Sequence, residues 1–360
     1  MNLAIVGCGT ISHQYLANFA TFPGVRVLAC ADLDVERAKA VAEQYSVPVA
    51  GDVDTVIAHP DVELVVNLTV PAAHVAVATQ AVEAGRHVYN EKPLALDPDG
   101  GRALLAAAGA AGVRVGCAPD TFLGAGLQTV ARLVASGEIG RPTSALTLLQ
   151  GSGPERWHPS PQFLFLPGAG PLFDMGPYYL TALAALFGPV IRVAATGGRA
   201  HAKRVVGSGP LAGTEFDVEV YTHVSALLEF AAGQSATAVF SFDSPLPRHD
   251  FLEVTGTEAT LAAPDPNTFT GPVRLRRTGE GAWAEIAAVG STAGRGIGVL
   301  DLVRSIRAGQ PHRASGELAL HVVDVMTAIL ESADHGRFVP VTSTFTPPTP
   351  LPEDWNPTHL

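Results

Sequence analysis

Lys92 stands in a Glu91-Lys92-Pro93 turn. A lysine held beside a reacting carbinol can donate to the substrate oxygen, which stabilises developing alkoxide. Such chemistry needs a hydride carrier, and the chain offers a place for one at its start. Leu3-Ala4-Ile5-Val6 is an apolar run that leads into Gly7-Cys8-Gly9-Thr10-Ile11-Ser12. Gly7 allows a tight turn, Gly9 lets backbone approach a pyrophosphate, and Ser12 is small where a third glycine often lies. Thr10 and Ile11 open a helix whose free N–H groups and positive dipole end suit phosphates. The glycine spacing alone is weak, but it follows a strand and opens a helix. Asp32 ends the second strand 20 residues beyond Ser12. Its carboxylate can accept from ribose hydroxyls and repel a 2′-phosphate, and Leu33 offers no compensating charge. The pattern therefore favours NAD over NADP. On residue types alone, Lys92 reads equally well as a surface lysine paired with Glu91.

These residues need a scaffold, and the first 120 residues alternate strand-like and helix-like segments. Strands are expected at Leu3–Val6, Val25–Ala31, Val47–Ala50, Leu64–Thr69, His87–Tyr89 and Val113–Cys117. Helical patterns lie between them at Asp34–Tyr45, Ala72–Ala84 and Pro98–Ala108, with stop signals at Gly85 and Gly112. Near-continuous apolar strands alternating with helices imply an α/β, doubly wound parallel sheet. Glu91-Lys92-Pro93 then follows the fifth strand, at the carboxyl end of the sheet where ligands of such folds bind. Pro93 disfavours helix at Lys92 and fixes the turn.

Beyond residue 120 the pattern changes. An amphipathic helix carries Leu127, Val130, Ala131 and Val134 and stops at Gly137. Strands follow at Ser144–Leu149, Ile191–Ala195, Glu215–Phe230, Ser235–Phe242, Phe251–Thr255 and Val273–Arg277, with a hairpin turn at Ala232-Gly233. Helices close the region near Ile297–Ile306 and Glu317–Ser332, and Pro347, Pro348, Pro350 and Pro352 mark an extended tail. The expected division is a dinucleotide domain over 1–120, an α+β domain with a large, mostly antiparallel sheet over 121–342, and a tail over 343–360.

Composition excludes several classes. Of 360 residues, 47% are hydrophobic and 16% charged, which suits a packed globular protein. Net charge is −11 with no basic stripe, so nucleic acid and anionic membranes are not expected partners. No apolar run reaches the ~18 residues of a membrane span. The absence of a signal-peptide pattern and three dispersed cysteines, Cys8, Cys30 and Cys117, fit a cytoplasmic protein. The 12 histidines show no metal-ligand spacing, so no metal is expected.

Several segments together resemble the Gfo/Idh/MocA oxidoreductase family. They are Gly7-Cys8-Gly9, Asp32, Thr69-Val70-Pro71-Ala72-Ala73-His74, Ala84-Gly85-Arg86-His87-Val88 and Glu91-Lys92-Pro93-Leu94-Ala95. The resemblance continues through Ser136–Pro142 and Gly168–Tyr178 and covers nearly the whole chain. It implies a Rossmann domain, an α+β domain for substrate and oligomer contacts, and oxidation or reduction of a sugar or cyclitol ring hydroxyl. It also implies a homodimer or homotetramer paired through an open sheet face. Thr69, Pro71, His74, Glu91 and Lys92 would line the cofactor. The family sets an Asp and, four residues later, usually a His on a helix facing the lysine. Those positions are Asp174 and Tyr178 here. Residues four apart share a helix face. Tyrosine titrates near ~10 against ~6.5 for histidine, so Tyr178 needs a nearby ammonium to serve as base at neutral pH.

His158, in Arg156-Trp157-His158-Pro159, is a rival base, although a loop histidine is often structural. Trp157 suits a pyranose face or a core anchor. Asp120, in Pro119-Asp120-Thr121-Phe122, is expected at the mouth of the substrate site, where the family's usual pattern is broken. Two other activities fit the resemblance: a glycosidase that oxidises its sugar transiently with NAD, and a non-catalytic NAD-binding sensor. Retention of both Lys92 and Asp174 argues against the sensor.

Overall fold

The computed structural model describes residues 1–359, which form two compact units. The first comprises Met1–Gln128, Val289–Val323 and the chain from Pro348 onward; the second comprises Thr129–Ala288 and Asp324–Pro347.

The first unit runs β1 (Asn2–Val6), α1 (Thr10–Phe19), β2 (Arg26–Ala31), α2 (Val35–Tyr45), β3 (Val49–Gly51), α3 (Val53–Ala58), β4 (Leu64–Asn67), α4 (His74–Glu83), β5 (His87–Asn90), α5 (Pro98–Ala111) and β6 (Val115–Cys117). The six strands are parallel in the order β3-β2-β1-β4-β5-β6. This is the doubly wound order, with its switch point between β1 and β4. All four β4 residues are buried, as expected of a strand covered on both faces. Helix starts follow local chemistry. Asp34 accepts from Glu36 N and Arg37 N, Asp52 from Thr55 N, and Asp97 from Gly100 N. Gly112 ends α5 at φ 68°.

Helix α6 (Ala125–Ala135) leads into the second unit. There follow β7 (Pro142–Gln150), α7 (Gly170–Phe187), β8 (Val190–Gly198), β9 (Lys203–Val205), β10 (Glu215–Asp217), β11 (His223–Phe230), β12 (Ser235–Ser241), β13 (Arg248–Gly256), β14 (Ala259–Ala263), β15 (Val273–Arg277) and β16 (Ala284–Ile286). After these come α8 (Ile297–Ala308), α9 (Gly316–His335) and β17 (Val339–Pro340). Nine strands form one sheet in the order β16-β15-β14-β13-β7-β12-β11-β8-β17. Within this sheet only the β7–β12 pair is parallel among the described residues. Ala145, Leu149, Ala236, Ala238, Phe240, Val224, Ala226 and Leu228 alternate along its strands and are buried. Helix α7 packs on that face through Tyr179 on Phe240 and Phe187 on Phe230.

Three expectations are corrected. The units do not divide once near residue 120, because residues 289–323 and the chain beyond 348 return to the first unit. There the Ala314 carbonyl accepts from Cys117 N at 3.0 Å, extending the β6 edge. Glu215–Phe230 is not one strand. Residues 218–222 interrupt it, so β10 pairs with β9 while β11 joins the large sheet. Arg199 Nη1 donates to the Val218 carbonyl at 2.6 Å, and Val218 N donates to Ala202 O at 2.9 Å. These partners replace a continuous ladder. The proline-rich end is extended but packed. Leu351 is buried, its N–H donates to Gln128 Oε1 at 2.5 Å, and Arg304 lies over the Trp355 ring. No helix among the described residues is long and apolar enough to cross a membrane.

Candidate active site

In the first unit, the loops at the carboxyl ends of β1, β2, β4 and β5 carry the expected cofactor residues. Gly7 has φ +98°, and a Cβ there would lie 2.6 Å from the backbone of Leu68. Only glycine fits where β1 turns against the end of β4. A Cβ on Gly9 would meet nothing within 4 Å, so this face of the loop is open to a ligand. Gly9 is the N-cap of α1 and offers no side chain to its first N–H groups. Ser12 is buried, and its hydroxyl donates to Gly9 O at 2.7 Å, which tightens the first turn. Thr10 is exposed and Ile11 half-buried beside it. A Rossmann cofactor fits this arrangement: an open glycine, an uncapped helix end and a carboxylate one strand away. Gly7→Ala is expected to weaken NAD binding at least tenfold by calorimetry and to cost about 1–3 kcal/mol in denaturant unfolding. Wild-type values for both would reject this role.

Asp32 is mostly buried. Its Oδ2 accepts from Cys8 N at 2.8 Å and its Oδ1 from Asp34 N at 2.9 Å. It therefore ties the glycine loop to the end of β2. Leu33 is 98% exposed. A charged neighbour escaped the sequence reading: Arg37 Nη1 lies 3.5 Å from Asp32 Oδ1. The signal was present, since the Asp34 cap puts Arg37 in the first turn of α2, beside the strand end.

Beyond β4, Thr69 Oγ1 donates to Asn67 Oδ1 at 2.7 Å, and Asn67 Nδ2 donates to Asn90 Oδ1 at 2.9 Å. Asn67 and Asn90 are fully buried and join the ends of β4 and β5; neither was singled out from sequence. Pro71 is exposed. His74 is 1% exposed, with Nδ1 2.7 Å from Pro93 O and Nε2 3.0 Å from Thr69 O. It is too deeply buried to line a cofactor as expected; instead it braces two loops that could. Glu91 is also buried, and its Oε2 accepts from the backbone N–H of Lys92 at 3.0 Å. Lys92 is half-buried.

Asp120 corrects another expectation. It is fully buried rather than at a site mouth, and its Oδ2 accepts from Gly296 N at 2.8 Å and Gly298 N at 3.0 Å. It caps the start of α8, which has only Gly296 as its own cap. Burial pushes its carboxyl pKa up, against Arg295 and the two N–H groups.

In the second unit, Asp174 and Tyr178 lie one turn apart on α7, Asp174 half-buried and Tyr178 buried. Pro177 between them has no N–H to return to the Phe173 carbonyl. Trp157 is 68% exposed, which removes the core-anchor reading. His158 stacks edge-on between Trp157 and Phe163, with ring centroids 5.6 and 5.5 Å away. Its Nδ1 accepts from Ser160 N at 3.0 Å. In the neutral ring this puts the proton on Nε2, leaving no free lone pair. The loop beneath is anchored by a buried ion cluster. Arg204 pairs with Glu155 at 2.5 Å and with Asp243, and Thr222 donates to Asp243 at 2.6 Å. Lys92 thus belongs to one unit, and Asp174, Tyr178, Trp157 and His158 to the other. No group of three His, Cys, Asp or Glu among the described residues is placed to hold a metal.

Residues 1–118 match an oxidoreductase family model with an NAD-binding Rossmann fold, and residues 127–262 match the GFO/IDH/MocA C-terminal domain. An uncharacterised oxidoreductase of Rhizobium meliloti is 28% identical over 94% of this chain and 98% of its own length. Inositol 2-dehydrogenase of Burkholderia vietnamiensis is 30% identical, but the match spans 39% of this chain and 43% of that enzyme. An NAD-binding oxidoreductase of Klebsiella pneumoniae shares the fold, with a TM-score of 0.84 at 24% identity over 95% of this chain and 99% of the other.

Proposed function

The chain belongs to the Gfo/Idh/MocA oxidoreductase family, and from that premise we propose that it oxidises or reduces a secondary hydroxyl or carbonyl of a sugar, cyclitol or related polyol. It is an NAD(P)-dependent dehydrogenase acting on CH–OH groups. The observation that carries the substrate reading is the Glu91-Lys92-Pro93 turn at the carboxyl end of β5, at the same end of the parallel strands as the glycine loop and braced by His74.

Gly7, Gly9, Thr10, Ile11, Ser12 and Asp32 would hold NAD, with Thr69 and Pro71 beside them. Bound NAD supplies the hydride acceptor. The Lys92 ammonium donates to the substrate oxygen and stabilises charge as the hydroxyl proton leaves. Tyr178 takes that proton and Asp174 orients the substrate. Engagement of His158 Nδ1 by Ser160 supports Tyr178 over His158 as base. The exposed Trp157 ring supports a role against an apolar sugar face. Leu146, Leu148, Val239 and Leu227 share the sheet face opposite α7, and this apolar stripe supports pairing of two copies there. Three buried free cysteines support a reducing, cytoplasmic setting.

The test is an absorbance screen at the NADH band across sugars, sugar acids and inositols, with NAD and NADP side by side. Polyol-dependent NADH formation that prefers NAD is expected. With the substrate so found, Tyr178→Phe should lower turnover roughly a hundredfold, and His158→Ala should leave it within about threefold. NAD binding without reduction by any polyol would sink the substrate class. Release of a glycoside's aglycone without NADH build-up would replace it with transient oxidation.

A further inference from the structure

We propose that Tyr15 is a positioning residue for Lys92, fixing the lysine's turn through the Glu91 carboxylate. This rests on the role of Lys92 given above. Tyr15 is fully buried in α1, six residues beyond the glycine that caps that helix. Its hydroxyl donates to Glu91 Oε1 at 2.7 Å. The other carboxylate oxygen accepts from the Lys92 N–H at 3.0 Å. Glu91 is also pinned by its backbone: its N–H donates to Asn67 O at 2.8 Å, and Cys117 Sγ donates to its carbonyl at 3.6 Å. The carboxylate is thus a two-ended link, with α1 on one side and the lysine's peptide on the other.

A phenylalanine would serve the packing of this ring, which lies 5.9 Å from Phe19. The hydroxyl is therefore the informative part, because burying one is costly unless it is paired. It is also a permanent donor: burial and then the Glu91 charge push the Tyr15 phenol well above its usual range, with Asp120 and Tyr89 adding and Arg295 opposing. The same helix thus sets two ends of the site. Its first turn faces the open glycine loop, and its second turn holds the carboxylate behind Lys92. A shift of α1 moves both together.

Tyr15→Phe removes one oxygen and keeps the ring. It is expected to lower kcat about ten- to a hundredfold while the Kd for NAD stays within about twofold. Hydrogen exchange of a peptide spanning residues 88–96 should quicken about tenfold. Because Tyr15 acts through Glu91, the double variant Tyr15→Phe/Glu91→Gln should lose no more turnover than Glu91→Gln alone. Should Tyr15→Phe fail to fold, Glu91→Gln carries the exchange and kcat tests. Wild-type kcat, unchanged exchange or additive losses in the double variant would each overturn the proposal. Lys92→Ala separates the two readings: if it kept wild-type turnover, the role of Lys92 would fall, while the exchange measurement would still decide whether Tyr15 holds the turn.

Discussion

Lys92→Ala is expected to lower kcat about a thousandfold and to leave the Kd for NAD within about threefold of wild type. The size follows from what the ammonium does. When the hydroxyl proton leaves ahead of the hydride, which departs from the carbinol carbon, negative charge builds on the oxygen before the carbonyl forms. A preorganised cation there stabilises the transition state more than the ground state, so the loss falls on kcat. Cofactor binding should be spared because the proposed pyrophosphate cradle is held by Cys8 N–H on Asp32, Ser12 on Gly9 and the Gly9 cap, none of which uses the lysine side chain. Lys92→Arg should recover little, since a planar guanidinium on a different stem misplaces the donor. Steady-state kinetics on the screened substrate, with calorimetry for NAD, checks both halves. Loss of NAD affinity equal to the loss of kcat would reassign Lys92 to the cofactor.

Arg204→Met should destabilise the second unit by about 3–5 kcal/mol in denaturant unfolding, because it strands two buried carboxylates. The Arg204 side chain is 6% exposed, and those of Glu155 and Asp243 are 10% and 12% exposed. The guanidinium also donates to Phe242 O at 3.2 Å and lies over the Phe165 ring. Without it, Glu155 and Asp243 repel each other in a medium that screens them poorly. The triple variant Arg204→Met/Glu155→Gln/Asp243→Asn should regain at least half the loss, since the stranded charge and not the lost volume dominates. The loop over residues 151–169 starts from this cluster, so limited proteolysis should cut it faster in Arg204→Met than in the triple variant. Equal stability of all three proteins would show that the cluster contributes nothing net.

Much of the site's first half was legible from residue order. An apolar strand, two glycines, a small residue and an acid one strand later describe a phosphate-binding turn whose parts are neighbours in the chain. The helix starts at Asp34 and Asp97 were equally local. The periodicity could not show that Glu215–Phe230 breaks at residues 218–222, because the replacement partners come from residues 199–202. Nor could it show that residues 289–323 rejoin the first unit.

By itself, the sequence determined the strand–loop–helix proposed to receive the cofactor, the turn that carries Lys92, and the helical spacing of Asp174 and Tyr178. Each depends on backbone preferences of residues a few positions apart. The tertiary structure decided the fate of the buried polar groups. It made Asp120 a cap for Gly296 and Gly298, although Asp120 and Gly296 stand 176 positions apart in the chain. It put Tyr15 on Glu91 across 76 residues and Arg204 on Glu155 across 49. A buried donor must find an acceptor wherever packing brings one, and that choice is made by the ends of strands and helices meeting in space.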